Sequence, residues 1–300
     1  MSLLAVEGTG VTWETIVLWN PAIREFKSLP SSPVERPPTE NLYMYGCIGF
    51  GFDRNTNDYK VLRVVTDDHY PPEHHQIELY SLNSDSWREI PDVSFDHYHI
   101  NSFETYNNGV YYWWAYDNID HLIMSFDFAT ETFEKLPLPD CEGAWVEYAQ
   151  ETMYGVLAIR YDYHKVLCTF NGLPAVIFSP IQATEKLFDI WVMTEHGVKE
   201  SWVKQMSIGP ISGVEKPLGF CKNNGMFFED SNKQQVLYDS NTQELKNLQF
   251  HGFQMSQGGL KVASYVESLV PIHGVGEDDD EPLIMSCYRE LLFLDLLQAL

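Results

Sequence analysis

Four stretches of this chain repeat one order of hydrophobic and polar positions. Each begins with an apolar run that ends at an aromatic residue, continues through polar residues, and closes on a second apolar run. Counted from that first aromatic residue, a large apolar side chain returns at the seventh and tenth positions. The first positions are Trp19, Tyr80, Phe126 and Tyr238, the seventh are Phe26, Trp87, Phe133 and Leu245, and the tenth are Leu29, Ile90, Leu136 and Leu248.

This order predicts an antiparallel β-hairpin in each stretch. The first strand ends at the aromatic residue, polar residues such as those at 83–85 reverse the chain, and a second strand follows. Proline comes next in three of the four copies, at Pro30, Pro91 and Pro137. Because proline has no N–H to donate, it stops further strand pairing. The large apolar side chains recur since neighbouring sheets must bury one another's faces.

Further hairpins are predicted between these four. Asn108-Gly109 and Asn224-Gly225 are strong signals for a two-residue turn, in which both residues need a positive φ. The polar segment from Asp53 to Asp58 separates two apolar runs in the same way. Strand-like runs, roughly twenty of them, cover most of residues 15–270, and the pattern shows no long helix.

Grouping each hairpin with its neighbour gives four-stranded units at 101–136 and 216–248. The step from Tyr80 to Phe126 is 46 residues, and four-stranded propeller blades recur at about 40–50 residues. A further, degenerate blade is expected around Trp191–Trp202. The fold class predicted is all-β: a kelch-like β-propeller of five to six four-stranded blades. A β-sandwich is the alternative, but it does not require a repeat at this spacing.

The two ends depart from the repeat. Residues 1–14 are interpreted as the start of an incomplete first blade, and residues 15–272 as the propeller domain, closed by the strand in KVASYVESLVPI. Residues 273–300 are interpreted as an acidic loop followed by a short apolar C-terminal helix. Within the latter, Ile284, Cys287, Tyr288, Leu291 and Leu294 have helical spacing.

Charge and cysteine content narrow the function. The chain has 19 Lys and Arg against 43 Asp and Glu, a formal net charge of −24. Such an acidic surface repels nucleic acids and anionic membranes and attracts cationic partners. The five cysteines are single and without zinc-ligand spacing, which indicates a reducing compartment. We therefore expect a cytoplasmic or nuclear protein.

Candidate chemistry is sparse. His69, His74, His75, His97 and His99 form the richest histidine group, but the surrounding segments have the composition of turns, so exposed loop histidines are favoured over a metal site. The segment from Asp53 resembles the start of a calcium loop, yet it has Asp58 where glycine is needed and Val64 where a glutamate is needed. Nucleophile elbows, P-loops and zinc-protease motifs are absent from the sequence. We expect no cofactor, no metal and no enzymatic activity.

The sequence motifs of the repeat also resemble those of a known family. VLWNPAIREFKSLPSSP followed by YGCIGFGFDRNTNDYKVLRVV is similar to the opening of the plant F-box-associated domain. NGVYYWWAY, IMSFDFATETFEKLPLP, LGFCKNNGMFFE and ASYVESLVPI resemble its later landmarks, in order, over about residues 15–272. Within that family the chain looks most like the S-locus F-box proteins.

The resemblance implies a role in protein degradation. Such proteins are substrate receptors of SCF ubiquitin ligases: an F-box binds the Skp-type adaptor, which joins the cullin, and the propeller captures the target. In the S-locus group the target is a basic S-RNase of the pistil, in self-incompatibility. Fourteen residues precede the first strand here and no F-box is among them, so we expect this chain to bind targets without recruiting the ligase.

The predicted partner-binding residues are acidic and lie in connections between strands: Asp67, Asp68, Glu73, Asp92, Asp96, Asp117 and Asp120. They would attract a basic protein target. The alternative function is a propeller-fold hydrolase whose catalytic residues are spread over several blades.

Overall fold

The described part of the chain folds mostly into β-strands. The structure, a computed structural model, describes residues 2–6, 15–20, 22–23, 25–35, 43–67, 75–90, 98–99, 105–117, 120–141, 147–151, 157–161, 163–220, 225–248 and 272. Within these ranges there are 22 strands and one 3₁₀ turn, Lys199–Ser201. The all-β prediction is confirmed. The predicted C-terminal helix and, apart from Ile272, the predicted closing strand lie outside the described residues.

The strands belong to two compact units. Unit 1 comprises Met1–Ser102, Phe128–Thr130 and Ser264–Leu300, and unit 2 comprises Phe103–Asp127 and Glu131–Ala263. In the described part of both units, no helix is long and apolar enough to span a membrane.

Unit 1 contains a three-stranded and a four-stranded antiparallel sheet, each in sequence order. The three-stranded sheet is at the position predicted for an incomplete first blade. Its strands are β1 (Ser2–Val6), β2 (Thr15–Asn20) and β3 (Glu25–Ser28), and those of the second sheet are β4 (Tyr43–Asp53), β5 (Asp58–Asp67), β6 (His75–Ser81) and β7 (Ser86–Ile90). Strand β8 (Tyr98–His99) also falls within this unit.

Unit 2 contains the remaining sheets, including two with four strands in sequence order. The first sheet is built from β9 (Thr105–Asn107), β10 (Val110–Asp117), β11 (Asp120–Asp127) and β12 (Thr132–Leu136). A two-stranded hairpin follows, β13 (Glu147–Glu151) and β14 (Leu157–Tyr161). The four-stranded sheets are β15 (Tyr163–Phe170), β16 (Leu173–Pro180), β17 (Glu185–Met193), β18 (Trp202–Ser212), and β19 (Val214–Phe220), β20 (Met226–Asp230), β21 (Gln235–Asp239), β22 (Glu244–Asn247).

The repeated apolar positions are cross-strand neighbours in all four hairpins. The aromatic residue is the last but one of the first strand, so each strand runs one residue further than predicted. It lies opposite the residue seven positions later, which accounts for that interval. The pairs are Trp19 with Phe26, Tyr80 with Trp87, Phe126 with Phe133, and Tyr238 with Leu245. Two of them also stack as tilted rings, with centroids 5.4 Å apart for Tyr80 and Trp87 and 4.7 Å apart for Phe126 and Phe133.

The turns of these hairpins share one backbone shape. Three of them place the residue before the second strand in the left-handed region, at Asp85 (φ 49°), Glu131 (φ 56°) and Gln243 (φ 59°). The turn between β4 and β5 does the same at Asn57 (φ 53°). Four-residue loops are a common connection between antiparallel strands. The interval of seven is therefore set by the turn as well as by packing.

Asparagine–glycine turns behave as predicted where they are described. Asn108 (φ 50°) and Gly109 (φ 93°) both have positive φ and join β9 to β10. Asn171 (φ 49°) and Gly172 (φ 75°) join β15 to β16 in the same way. This second turn was available in the sequence and was not among our predictions.

Apolar side chains from neighbouring sheets form the cores. In unit 1, side chains of β2, β4, β5, β6 and β7 pack together with Ile272, which is 1 % exposed. The backbone N–H of Ile272 donates to the Glu25 carboxylate at 2.9 Å. In unit 2, the two four-stranded sheets pack through a core that includes Ile177, Phe188 and Phe228. The Phe188 and Phe228 rings lie 4.6 Å apart.

One buried carboxylate organises the turn between β4 and β5. Asp53 accepts hydrogen bonds from the Thr56 hydroxyl at 2.6 Å and from the backbone of Asn55 at 2.8 Å, and it pairs with the Lys60 ammonium at 2.7 Å. Lys60 also donates to the carbonyl of Phe128 at 3.2 Å. Burial alone would raise the pKa of Asp53, but these hydrogen bonds outweigh it and lower the pKa to about 2. The resemblance of this segment to a calcium loop is thus explained by a hydrogen-bonded turn.

Asp53→Asn is expected to lower stability at neutral pH by on the order of 2 kcal/mol, since the folded pKa lies below the ordinary value. A depressed pKa stabilises the fold above the unfolded pKa, and that contribution is lost as the pH falls from about 4 to about 2. Urea unfolding measured across this pH range should therefore show a smaller pH dependence for the variant. Glu195→Gln, at an exposed carboxylate, serves as the control, and an equal slope for all three proteins would contradict the prediction.

Candidate functional site

The connections between strands fall on two opposite edges of each sheet. In the sheet β4–β7, the turns at 53–58 and 81–86 share one edge because successive strands are antiparallel. The connection from β5 to β6 leaves from the other edge, where β4 begins and β7 ends. We call the first the turn edge and the second the entry edge, and the same distinction applies to every meander sheet of the chain.

Asp67, Asp117 and Asp120, the predicted acidic residues whose backbone is described, lie at the entry edges of their own sheets. Asp67 ends β5 opposite Tyr43, and Asp117 lies opposite Asp120 where β10 passes into β11. Asp68, Glu73, Asp92 and Asp96 lie outside the described residues, as do the side chains of the other three. Five of the seven belong to unit 1, and Asp117 and Asp120 to unit 2. Their role in binding stays a prediction.

Carboxylates at the turn edge of unit 1 have internal partners. Asp58 accepts from the Ser81 hydroxyl at 2.6 Å and from the backbone N–H of Asn83 at 2.9 Å. Asp85 accepts from the Tyr80 hydroxyl at 2.7 Å and pairs with Lys27 at 2.9 Å. The hydrogen bond from Tyr80, followed by that from Lys27, lowers the pKa of Asp85, while burial and Asp85 raise the pKa of Tyr80. These groups hold turns together and are poor candidates for partner binding.

A buried ion pair lies in the middle of the same sheet. Arg63 on β5 and Glu78 on β6 are cross-strand neighbours, 4 % and 0 % exposed, and the Arg63 Nε donates to the Glu78 carboxylate at 2.8 Å. The Arg63 guanidinium carbon also lies 4.3 Å from the centre of the Trp87 ring. The Trp87 indole N–H then donates to the carbonyl of Pro30 at 2.7 Å. The chain of contacts joins β5, β6 and β7 to the end of the preceding sheet.

Unit 2 repeats the last of these contacts. The indole N–H of Trp202, at the start of β18, donates to the carbonyl of Pro137 at 2.7 Å. Pro30 and Pro137 each follow a repeated hairpin. The carbonyl of each accepts a hydrogen bond from the outer strand of a later sheet. Sequence reasoning found these prolines but missed their acceptor role. The sequence feature that could have indicated this contact is a tryptophan that follows each proline, in the outer strand of a later sheet.

A histidine lies at the same junction in unit 2. His196 precedes the 3₁₀ turn, and its Nε2 lies 3.0 Å from the Glu134 carboxylate on β12. Its Nδ1 lies 3.3 Å from the Tyr112 hydroxyl on β10. Burial, and then the charges of Asp127 and Glu134, raise the pKa of Tyr112 to about 12, so the phenol stays protonated.

The described residues offer little for catalysis or metal binding. Within them, no group of three or more histidine, cysteine, aspartate or glutamate side chains has an arrangement that fits a metal ion. Of the predicted loop histidines, His69, His74 and His97 lie outside the described residues, and the side chains of His75 and His99 are not described either. Unit 2 has two shallow clefts, one beside Gly209–Ser212 and Tyr238, the other beside His121 and Leu136–Asp140. Neither brings two carboxylates or three histidines together.

The chain belongs to the F-box associated beta propeller domain family, whose profile matches residues 9–272. The resemblance to the F-box-associated domain is thereby confirmed. A closer relation to the S-locus group stays a prediction.

Individual proteins similar to this chain are F-box proteins of Arabidopsis thaliana. The F-box/kelch-repeat protein At3g23880 is 28 % identical over 211 residues, covering 68 % of this chain and 50 % of that protein. The F-box protein At3g07870 is 25 % identical over 281 residues, covering 78 % and 63 %. Among solved structures, the Dos1 propeller aligns with a TM-score of 0.40 at 12 % identity, covering 78 % of this chain and 55 % of that one. The chain thus spans between half and two thirds of the length of these two relatives.

Proposed function

We propose that this chain is the target-binding part of an SCF-type ubiquitin ligase receptor and that it acts without catalysis. Its membership of the F-box associated family carries the proposal. The relatives that match it are F-box proteins, which implies a Skp-type adaptor and a cullin as partners of the full assembly. The cytoplasm or nucleus is the compartment proposed for this role.

We further propose that the target is a basic protein captured at the entry edge. A chain with a net charge of −24 attracts cationic proteins and speeds their encounter. On the turn edge of unit 1, Asp53, Asp58 and Asp85 are already bound by lysines, hydroxyls or backbone amides. Asp67, Asp117 and Asp120 each lie at the entry edge of their own sheet. Asp68, Glu73, Asp92 and Asp96 lie between strands in the sequence. An S-RNase, in self-incompatibility, is the particular basic target that the family resemblance suggests.

Binding of a basic ribonuclease to the 300-residue chain is expected to weaken steeply as salt rises, because screening shortens the range of charge attraction. Neutralising Asp67, Asp68 and Glu73 together, as D67N, D68N and E73Q, should reduce affinity by about tenfold at low salt. Calorimetry in a series of salt concentrations measures both effects.

The matched control neutralises three exposed carboxylates near the turn edge of unit 2, as E195Q, E200Q and E244Q. It changes the net charge by the same amount, so it separates local contact from general attraction. Equal losses of affinity in both triple variants would show that attraction by the net charge of the chain is the only electrostatic contribution. Affinity that does not respond to salt would contradict the electrostatic proposal, whereas pull-down of a Skp-type adaptor with the full-length protein tests the ligase assignment.

A further inference from the structure

One outer strand of unit 2 differs from the outer strands of the other meander sheets. Strand β18 has eleven residues and stands last in its sheet, where among the described residues it pairs with β17 only. The outer strands β3, β7, β12 and β22 have four or five residues, and each carries two charged residues. The only charged residue of β18 is Lys204, which pairs with Asp189 at 2.8 Å. Short length and charge protect a sheet edge against pairing with another chain, and β18 has little of either.

Two exposed apolar side chains of β18 lie on the face that turns towards the next sheet. Val203 lies opposite Val192 on β17. Met206 lies opposite Ile190 on the same strand. Both β17 residues belong to the core between the two four-stranded sheets, and opposed residues of paired strands share a face. Val203 and Met206, which are 42 % and 37 % exposed, therefore continue the apolar face of the core to the edge of the sheet.

The next sheet presents an apolar side chain to the same space. Leu245 on β22 is 38 % exposed and lies opposite Tyr238, which belongs to the same core. Three of the five large apolar side chains that are exposed in the described part of the chain thus lie on the facing sides of these two sheets. The cleft beside Gly209–Ser212 lies here, between β18 and the β21–β22 hairpin. We call the space lined by Val203, Met206, Gly209–Ser212 and Leu245 the outer groove.

The charged side chains of β18 and β22 point away from the outer groove. Lys204 lies opposite Trp191, which alternates with the core residues of β17 and so belongs to the other face. Glu244 and Lys246 alternate with Leu245 and belong to the other face of their sheet in the same way. A second copy of this chain is disfavoured as the occupant, since a net charge of −24 opposes self-association. An apolar, uncharged segment matches the groove in both polarity and charge.

We propose that the outer groove binds an extended, uncharged segment of a partner protein, which adds to the edge of β18 as a further strand. The main-chain N–H and C=O groups of that edge bind the backbone of the segment, while its alternate apolar side chains contact Val203, Met206 and Leu245. Pro210 has no N–H to donate, so pairing ends before it and the end of the segment reaches the cleft. Gln205 lies opposite no residue of β17, so the added strand follows a locally twisted edge. This inference goes beyond the proposed function, since it concerns an uncharged ligand and the outer strands.

A blocked peptide of alternating threonine and valine, with a tryptophan at each end and a fluorescent label, tests the proposal. Its binding to the full chain, measured by fluorescence anisotropy, should saturate. Two further peptides carry N-methyl groups at alternate residues, one at the odd and the other at the even positions. Only alternate N–H groups of an added strand face the strand it joins. One methylated peptide should therefore bind about tenfold more weakly or worse, and the other should bind like the unmethylated peptide.

Met206→Lys should weaken binding of the unmethylated peptide by about tenfold or more, because it places a charge on the apolar face of the edge strand. Val203→Lys should do the same. Leu187→Lys is the matched control: Leu187 is 42 % exposed, but it lies between two buried residues of β17 and so points to the opposite face of the same sheet. Thermal unfolding of all three variants checks that the fold is kept.

Three results would overturn the proposal: a peptide that does not saturate, two methylated peptides that bind alike, or a Met206→Lys variant that binds as tightly as the unmodified chain. Sedimentation of the unmodified chain provides a further check. A dimer that Met206→Lys dissociates would also overturn the proposal, because a second copy of the chain would then occupy the outer groove.

Discussion

Glu78→Ala is expected to lower the free energy of unfolding by about 3–5 kcal/mol, because it leaves a buried guanidinium without its carboxylate. Arg63 is 4 % exposed and lies between Glu78 and the Trp87 ring, so it cannot move into water without disturbing β7. The loss also reaches the hydrogen bond from Trp87 to Pro30. Urea unfolding followed by tryptophan fluorescence measures the change.

Two further variants give this result its meaning. Replacing both partners, as Arg63→Met with Glu78→Leu, should restore most of the stability, since a buried ion pair and a well-packed apolar pair are of similar worth. Glu229→Ala is the matched control: Glu229 is 5 % exposed, but its partner Lys233 has a side chain that is 74 % exposed. Lys233 returns to water, so a loss of about 1 kcal/mol is expected. Equal losses for Glu78→Ala and Glu229→Ala would contradict the explanation by a buried charge.

Gly209→Ala is the second substitution expected to have a large effect, at about 2–5 kcal/mol. A β-carbon at this position would lie 2.6 Å from the carbonyl oxygen of Lys186 and 3.2 Å from the backbone nitrogen of Ile211. The φ of +119° is also one that side chains rarely adopt. Because the obstructing atoms belong to the backbone of β17 and β18, relief requires the two strands to separate.

Gly172→Ala and Gly213→Ala distinguish crowding from backbone strain. Both glycines have a positive φ, +75° and +79°, but a β-carbon on either would meet nothing within 4 Å. Strain alone should therefore cost these variants about 1–2 kcal/mol. Thermal and urea unfolding of the three alanine variants, compared side by side, give the difference. A Gly209 variant no less stable than the Gly172 variant would show that β17 and β18 absorb the extra atom.

The hairpins were predictable from the sequence because their signals are local. The interval of seven between Tyr80 and Trp87 reflects one pair of opposed residues and one four-residue turn, both within a single stretch. Family membership was predictable for the same reason, since the sequence motifs that match the family are those of the hairpins.

The side-chain networks were not predictable in this way. Arg63 and Glu78 meet only because β5 and β6 pair in a given register, and Trp202 meets Pro137 only because two sheets are neighbours. A pattern of hydrophobic and polar positions specifies which face of a strand is buried, but it carries no information about which sheets adjoin.

The shared turn conformation affects how sequence similarity within this family should be interpreted. The residues that carry the resemblance to the family form the hairpins and their turns. In three of these turns Asp85, Glu131 and Gln243 have a left-handed φ. Residues at these positions are constrained by the fold, whichever target is bound. Two members can therefore agree at every hairpin and still bind different targets, and the residues that select the target should be sought in the segments between the hairpins.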